Sequence, residues 1–192
     1  MASLKLFRST GFPSILTAGE ARDAVHPSWI VLVTSLWIGF ACNVALWREL
    51  AGSGLDIDGL ARAIALGAFV AGCVAVVLSV LGWRKTLKPA ATLLLFGAAL
   101  MAASIWGQGL PVDASLAERK PSTFMIPPWA LLLRWQVSAL LVVLAVVPTV
   151  WIWQVRMRRF PGSRQFNVNL LGVLLSAAVL AASGFVLSRG LS

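Results

Sequence analysis

Five long apolar runs, separated by short segments rich in charge, proline or glycine, set the pattern of this chain. They extend from Trp29 to Trp47, Ala63 to Trp83, Pro89 to Trp106, Trp135 to Trp153 and Val168 to Leu187. Each holds 18–21 residues and no Asp, Glu, Lys or Arg. At about 1.5 Å per residue, a helix of that length covers about 27–32 Å, which matches a hydrocarbon core of about 30 Å. Period-two alternation is missing and the runs are too long for strands, so barrel strands are excluded. A helix satisfies its own backbone hydrogen bonds, which lipid cannot do for it. The pattern predicts an all-α, polytopic membrane bundle of five transmembrane helices over residues 29–188. Trp29, Trp47, Trp83, Trp106 and Trp153 stand at run ends, where an interfacial aromatic belt is expected.

Composition agrees with lipid as the solvent. With 59% hydrophobic and 12% charged residues, the chain has too little polar surface to cover a water-soluble globule. The net charge of +9 raises the question of nucleic acid, but the basic residues form no stripe on a soluble face. They cluster between apolar runs, as expected when Lys and Arg set topology, and nucleic acid is not an expected partner.

Residues 1–28 carry charges and no apolar stretch long enough for a cleaved signal. They read as a cytoplasmic tail, with the first span as an uncleaved anchor. That tail and the loops after the second and fourth runs hold ten Lys/Arg and two acids. The other two loops and the C-terminal end hold six Lys/Arg and five acids, so the two sides carry +8 and +1. The more positive side is expected inside, which puts the N-terminus in the cytoplasm and the C-terminus outside.

Within the runs, small residues such as Gly67, Ala71, Gly72, Gly97, Ala99, Gly172, Ser176 and Ser183 suggest close helix packing. Pro148 is expected to kink the fourth span. Asn43, Ser79 and Gln136 are polar exceptions, and Asn43 is expected to bond a neighbouring helix. The absence of charge inside the runs argues against an ion-coupled transporter or channel. Cys42 and Cys73 make no CxxC, and His26 is the only histidine, so no metal site is expected. No P-loop, HExxH, nucleophile elbow or paired-carboxylate pattern is visible, and no catalytic residue is assigned.

The longest loop, residues 107–134, offers the most chemistry. Asp113 is placed to cap a short helix from Ala114 to Lys120, with Pro121, Pro127 and Pro128 breaking it. Arg119, Lys120 and Arg134 can meet a phosphate at headgroup level. The alternative is a solvated connector whose charges face water.

Three stretches carry a family resemblance: Asn43-Val-Ala-Leu-Trp47-Arg48, Leu87-Lys88-Pro89 and Trp106-Gly-Gln-Gly-Leu-Pro-Val-Asp113. Over roughly residues 30 to 188, the chain resembles the N-terminal membrane domain of bacterial phosphoethanolamine transferases, enzymes that modify lipid A and related envelope sugars. The resemblance implies a bacterial inner-membrane protein whose five helices anchor a periplasmic domain of alkaline-phosphatase-like fold. That domain carries a threonine nucleophile and zinc. The donor would be phosphatidylethanolamine, with diacylglycerol released. Asp113 and Thr123 match the family's outer-loop pattern, whereas Arg119 and Pro127 stand where the family has Asn and Glu.

The expected substrate-binding residues are Asp113, holding the periplasmic loop, and Arg119, Thr123 and Arg134, touching the lipid headgroup. The chain ends at Ser192, just past the fifth run, so the catalytic domain and its zinc are expected to lie outside it, and no cofactor is expected within it. A stand-alone, non-catalytic membrane scaffold or lipid-binding protein is the alternative.

Overall fold

A computed structural model describes residues 24–52, 57–83, 85–110, 120–158 and 160–189. The first helix, α1 (Pro27–Leu36), opens on His26, whose Nδ1 accepts the Ser28 N–H at 3.2 Å, with Pro27 in the first turn. Proline suits that position because the N–H it lacks would have no partner. Without a break α1 continues into a π-helical turn, Trp37–Ala41, where the Cys42 N–H reaches the Trp37 carbonyl at 3.2 Å. Next comes α2 (Val44–Gly52), inclined by 47° to the segment before it. Asn43 explains the turn in direction. Its Oδ1 accepts the Leu46 N–H at 3.2 Å, an N-cap for α2 rather than the expected bond to a neighbouring helix.

The long helices follow as α3 (Ile57–Val80) and α4 (Leu87–Gln108). Gly109, at φ +63°, ends α4, and the Leu110 N–H closes back on the Ile105 carbonyl at 3.1 Å. Two short helices, α5 (Pro121–Met125) and α6 (Trp129–Leu132), lead into α7 (Trp135–Leu141). Pro121 opens α5, for the same reason that Pro27 opens α1. A π-helical turn, Val142–Val146, joins α7 to α8 (Val147–Gln154), and α9 (Gly162–Arg189) is last.

By length and composition α3, α4, the α7–α8 rod and α9 can each cross a membrane, and the bent α1–α2 pair makes five if it counts as one span. Along α9 exposure is inverted relative to a soluble bundle. On α9 the buried residues are Gln165, Ser176 and Ser183, while Phe166, Leu170, Leu174, Val179 and Phe185 face outward. The two serines satisfy themselves, each giving its hydroxyl to the carbonyl four residues back at 2.7 Å. A polar, self-satisfied inner face and an apolar outer face fit a lipid surround.

Glycines set the closest approaches. A Cβ on Gly39 would stand 2.5 Å from the Gly67 carbonyl oxygen and 2.7 Å from the Ala71 Cβ, so α3 meets the π-turn after α1 backbone to backbone. Gly172 of α9 leaves room for the Ser79 side chain of α3, and α9 packs chiefly on α3.

Pro148 accounts for the π-turn before α8. Lacking an N–H, it cannot bond the Leu144 carbonyl four residues earlier, and its ring needs room there. The Trp37 Nε1–H crosses from the first π-turn and donates to that Leu144 carbonyl at 3.1 Å.

At one end of the bundle side chains close the helix ends. Lys88 Nζ donates to the Trp153 and Val155 carbonyls at 3.2 and 2.7 Å, capping α8. Gln165 Nε2 donates to the Gly82 carbonyl at 2.8 Å. The Val25 N–H bonds the Arg156 carbonyl, and the Arg158 N–H returns to the Val25 carbonyl, at 2.8 and 3.0 Å. Lys88, Arg156, Arg158 and Arg164 therefore share an end with His26. Arg48, Arg62 and Arg134 belong to the opposite end, with Arg62 Nε 3.8 Å from Glu49 Oε1.

Candidate functional site

The candidate site in the loop of residues 107–134 begins where α4 ends. Arg48 of α2 donates from Nη1 to the Leu110 carbonyl. Two of the stretches that carry the resemblance, Asn43–Arg48 and the one opening at Trp106, are thereby tied together. Beneath them Cys42, Val44, Ala102, Ile105, Leu110 and Leu144 form a buried apolar cluster, and Phe124 of α5 packs against it. The loop thus leaves α4 from a fixed point and is held again at α5.

From α5 the chain runs along the end of the bundle. Trp129, Leu133 and Trp135 are 84%, 87% and 74% exposed, and Arg134, exposed as well, lies among them. The Ser138 hydroxyl donates to the Leu132 carbonyl at 2.6 Å, fixing the turn into α7. Two indoles beside a guanidinium suit the boundary between hydrocarbon and headgroup. The rings prefer that level, and the guanidinium offers a planar fork of donors to phosphate.

Of the four expected contact residues, Arg134 is in this collar and open to its surroundings. Thr123 lies in α5, on the segment that packs against α4. Asp113 and Arg119 fall outside the described residues, as does the expected helix from Ala114 apart from Lys120. The sequence reading missed the collar, although Trp129 and Trp135 flanking Arg134 in a proline-rich loop were signal enough. Arg48 stands out in the sequence only within a motif, because its partner is a backbone carbonyl that no side-chain pattern reveals. Among the described residues no group of three His, Cys, Asp or Glu is placed to hold a metal ion. These residues therefore offer no seat for the zinc centre that the resemblance implies.

The family model described as phosphoethanolamine transferase EptA/EptB matches residues 70–192. Neither the curated proteins nor the solved structures gave a match. The matched region runs from the middle of α3 to the end of the chain. It includes Leu87–Pro89, the stretch opening at Trp106, and the collar, while Asn43–Arg48 precedes it. Well over half of the chain is covered, and together with its long apolar helices this makes it a multi-pass membrane protein that belongs to the phosphoethanolamine transferase EptA/EptB family, through that family's N-terminal domain.

Proposed function

We propose that this chain is the membrane domain of a phosphoethanolamine transferase, anchoring and orienting lipid for transfer of phosphoethanolamine from phosphatidylethanolamine to lipid A or a related envelope glycolipid. The family match carries the reading. In it five spans cross the bacterial inner membrane, with the N-terminus cytoplasmic and the C-terminus periplasmic. Bond cleavage belongs to a zinc-bearing periplasmic domain outside these residues. The collar then works at the outer headgroup level: Trp129 and Trp135 seat it, Arg134 and Arg119 take lipid phosphate, Thr123 adds a hydroxyl, and Asp113 holds the loop.

The test is mass spectrometry of envelope lipids from cells with and without the gene. The expected result is phosphoethanolamine added to an envelope glycolipid only when the gene is present, reduced by Arg134→Ala and Arg119→Ala. Arg119 and Pro127, standing where the family has Asn and Glu, favour a second reading, a non-catalytic lipid-binding scaffold. Unchanged envelope lipids, together with phosphatidylethanolamine binding to the purified chain, would select it.

A further inference from the structure

Away from the collar, at the end that carries His26, a groove of about 430 Å³ opens between α1, α3 and α9. That volume lies in the range of about 300–1,000 Å³ typical of ligand pockets. Its walls are apolar, with Val31 and Leu32 from α1, Ala75 from α3, and Leu171 and Leu175 from α9. Ser35, among its lining residues, is 3% exposed and its hydroxyl has no hydrogen-bond partner within the bundle. The lining runs from His26 to Leu36 on α1 and from Val168 to Val179 on α9. At about 1.5 Å per residue both lengths come to about 15 Å, half of a hydrocarbon core of about 30 Å. The groove is therefore one leaflet deep.

Cationic groups stand near His26, which lines one end of the groove. The His26 ring lies 4.9 Å from that of Phe160, and the Arg164 guanidinium sits over the other ring at 5.1 Å. Arg158 follows the bridge that ties residue 25 to this loop, and its Nε is buried without a hydrogen-bond partner. A buried guanidinium nitrogen without an acceptor is costly, and an anion at this end of the groove would supply one. His26 reports the same field: its pKa is held below the usual value, first by burial and then by the charges of Arg158 and Arg164.

We propose that this groove holds an anionic glycerophospholipid of the leaflet at the basic end, with an acyl chain between α1 and α9 and its phosphate on Arg158 and Arg164. The apolar walls accept the chain, the depth matches one leaflet, and the cationic groups near His26 select the headgroup. The lipid also joins α9, which packs chiefly on α3, to α1.

Native mass spectrometry of the full chain, released from nanodiscs of phosphatidylglycerol or of phosphatidylcholine, tests this. Phosphatidylglycerol should remain bound and phosphatidylcholine should not. Each arginine near a membrane surface contributes about fivefold in affinity for anionic lipid, so Arg158→Gln with Arg164→Gln should weaken retention about 25-fold. Ala75→Phe, which fills the groove and leaves both arginines, should lose the lipid too. Leu93→Phe, on an exposed part of α4, should keep it. Equal retention of both lipids, or wild-type retention in the arginine double variant, overturns the proposal. If Ala75→Phe does not fold, as judged by circular dichroism, the arginine variant decides alone. None of these results depends on transferase activity.

Discussion

Replacing Trp37 by phenylalanine removes one hydrogen bond from the centre of the bundle and leaves most of an aromatic ring in place. The donor is Nε1–H, and the acceptor is the Leu144 carbonyl at 3.1 Å. That carbonyl lacks its α-helical partner because residue 148 is proline. Interhelical hydrogen bonds in membrane proteins average about 0.6 kcal/mol and reach about 1.7. An acceptor left unsatisfied inside a bundle belongs in the upper part of that range, so Trp37→Phe should cost about 1–1.5 kcal/mol from the bond alone. Trp37 also packs against both buried clusters, and losing part of its indole adds a packing cost.

A double-mutant cycle separates the two contributions. Pro148→Ala restores an N–H that can reach the Leu144 carbonyl along the helix. In that background the packing loss persists and the hydrogen-bond loss shrinks. The assay is reversible unfolding by SDS in mixed micelles, followed by helical ellipticity, on the wild type, both single variants and the double variant. The expected coupling is about 1 kcal/mol, favouring the tryptophan only where proline is present. A Trp37→Phe penalty that is the same with proline and alanine at 148 would refute the reasoning, because the carbonyl would then not be the reason for the tryptophan.

Other substitutions probe the same architecture. Gly39→Ala should destabilise the bundle by about 1–3 kcal/mol, since the new Cβ would meet a backbone oxygen that cannot move aside. Gly97→Ala, into open space, should be neutral or stabilise by up to about 1 kcal/mol; SDS midpoints compare the two. Lys88→Met strands the Trp153 and Val155 carbonyls and should cost about 1.5–3 kcal/mol in the same assay. His26 gives a pH signature. Its pKa is lowered in the folded state, so the unfolded chain takes up the proton first, near its ordinary value of about 6.5. The stability it contributes is present above that value and falls away as the pH drops below it. Thermal midpoints in neutral detergent should therefore decline modestly from pH 7 to 5, and His26→Asn, which can still cap α1, should flatten that part of the profile.

Hydropathy made the long elements legible because a charge-free run of spanning length has few alternatives to a helix. The ends were less legible. The apolar run starts at Ala63, yet α3 starts at Ile57, since Asp58 suits the first turn of a helix and Arg62 finds partners there. Arg62 reaches both Glu49 Oε1 and the Asp58 carbonyl. Small residues were an ambiguous signal for packing. Gly67, Gly72 and Gly172 meet neighbouring helices closely, whereas Gly97 faces open space, and composition alone cannot tell which side of a helix is covered. The Trp37–Leu144 link was out of reach, because a tryptophan and a proline more than a hundred residues apart are connected only through tertiary structure. In the loop of residues 107–134, Arg134 was readable as a cation, and the structure leaves it exposed. Its collar follows from where the chain lies on the bundle after α5.

The two ends of the bundle are built for different amounts of change. At the basic end Lys88, Gln165 and the bridge at Val25 close helix ends onto one another through bonds to backbone carbonyls. Sliding α8 or α9 there breaks several charged or amide hydrogen bonds at once. At the other end α4 is capped by its own Gly109 turn, Arg48 ties down a single carbonyl, and exposed tryptophans follow. Among the described residues, moving that collar disturbs the Ser138–Leu132 hydrogen bond and shifts side chains whose preferred medium is the interface itself. In the proposed function the domain presents lipid to a catalyst outside the bilayer, which needs compliance on the side that meets the catalyst and stiffness on the side that does not. That asymmetry follows from where the side-chain caps lie, and it puts adjustment at the collar that carries Arg134.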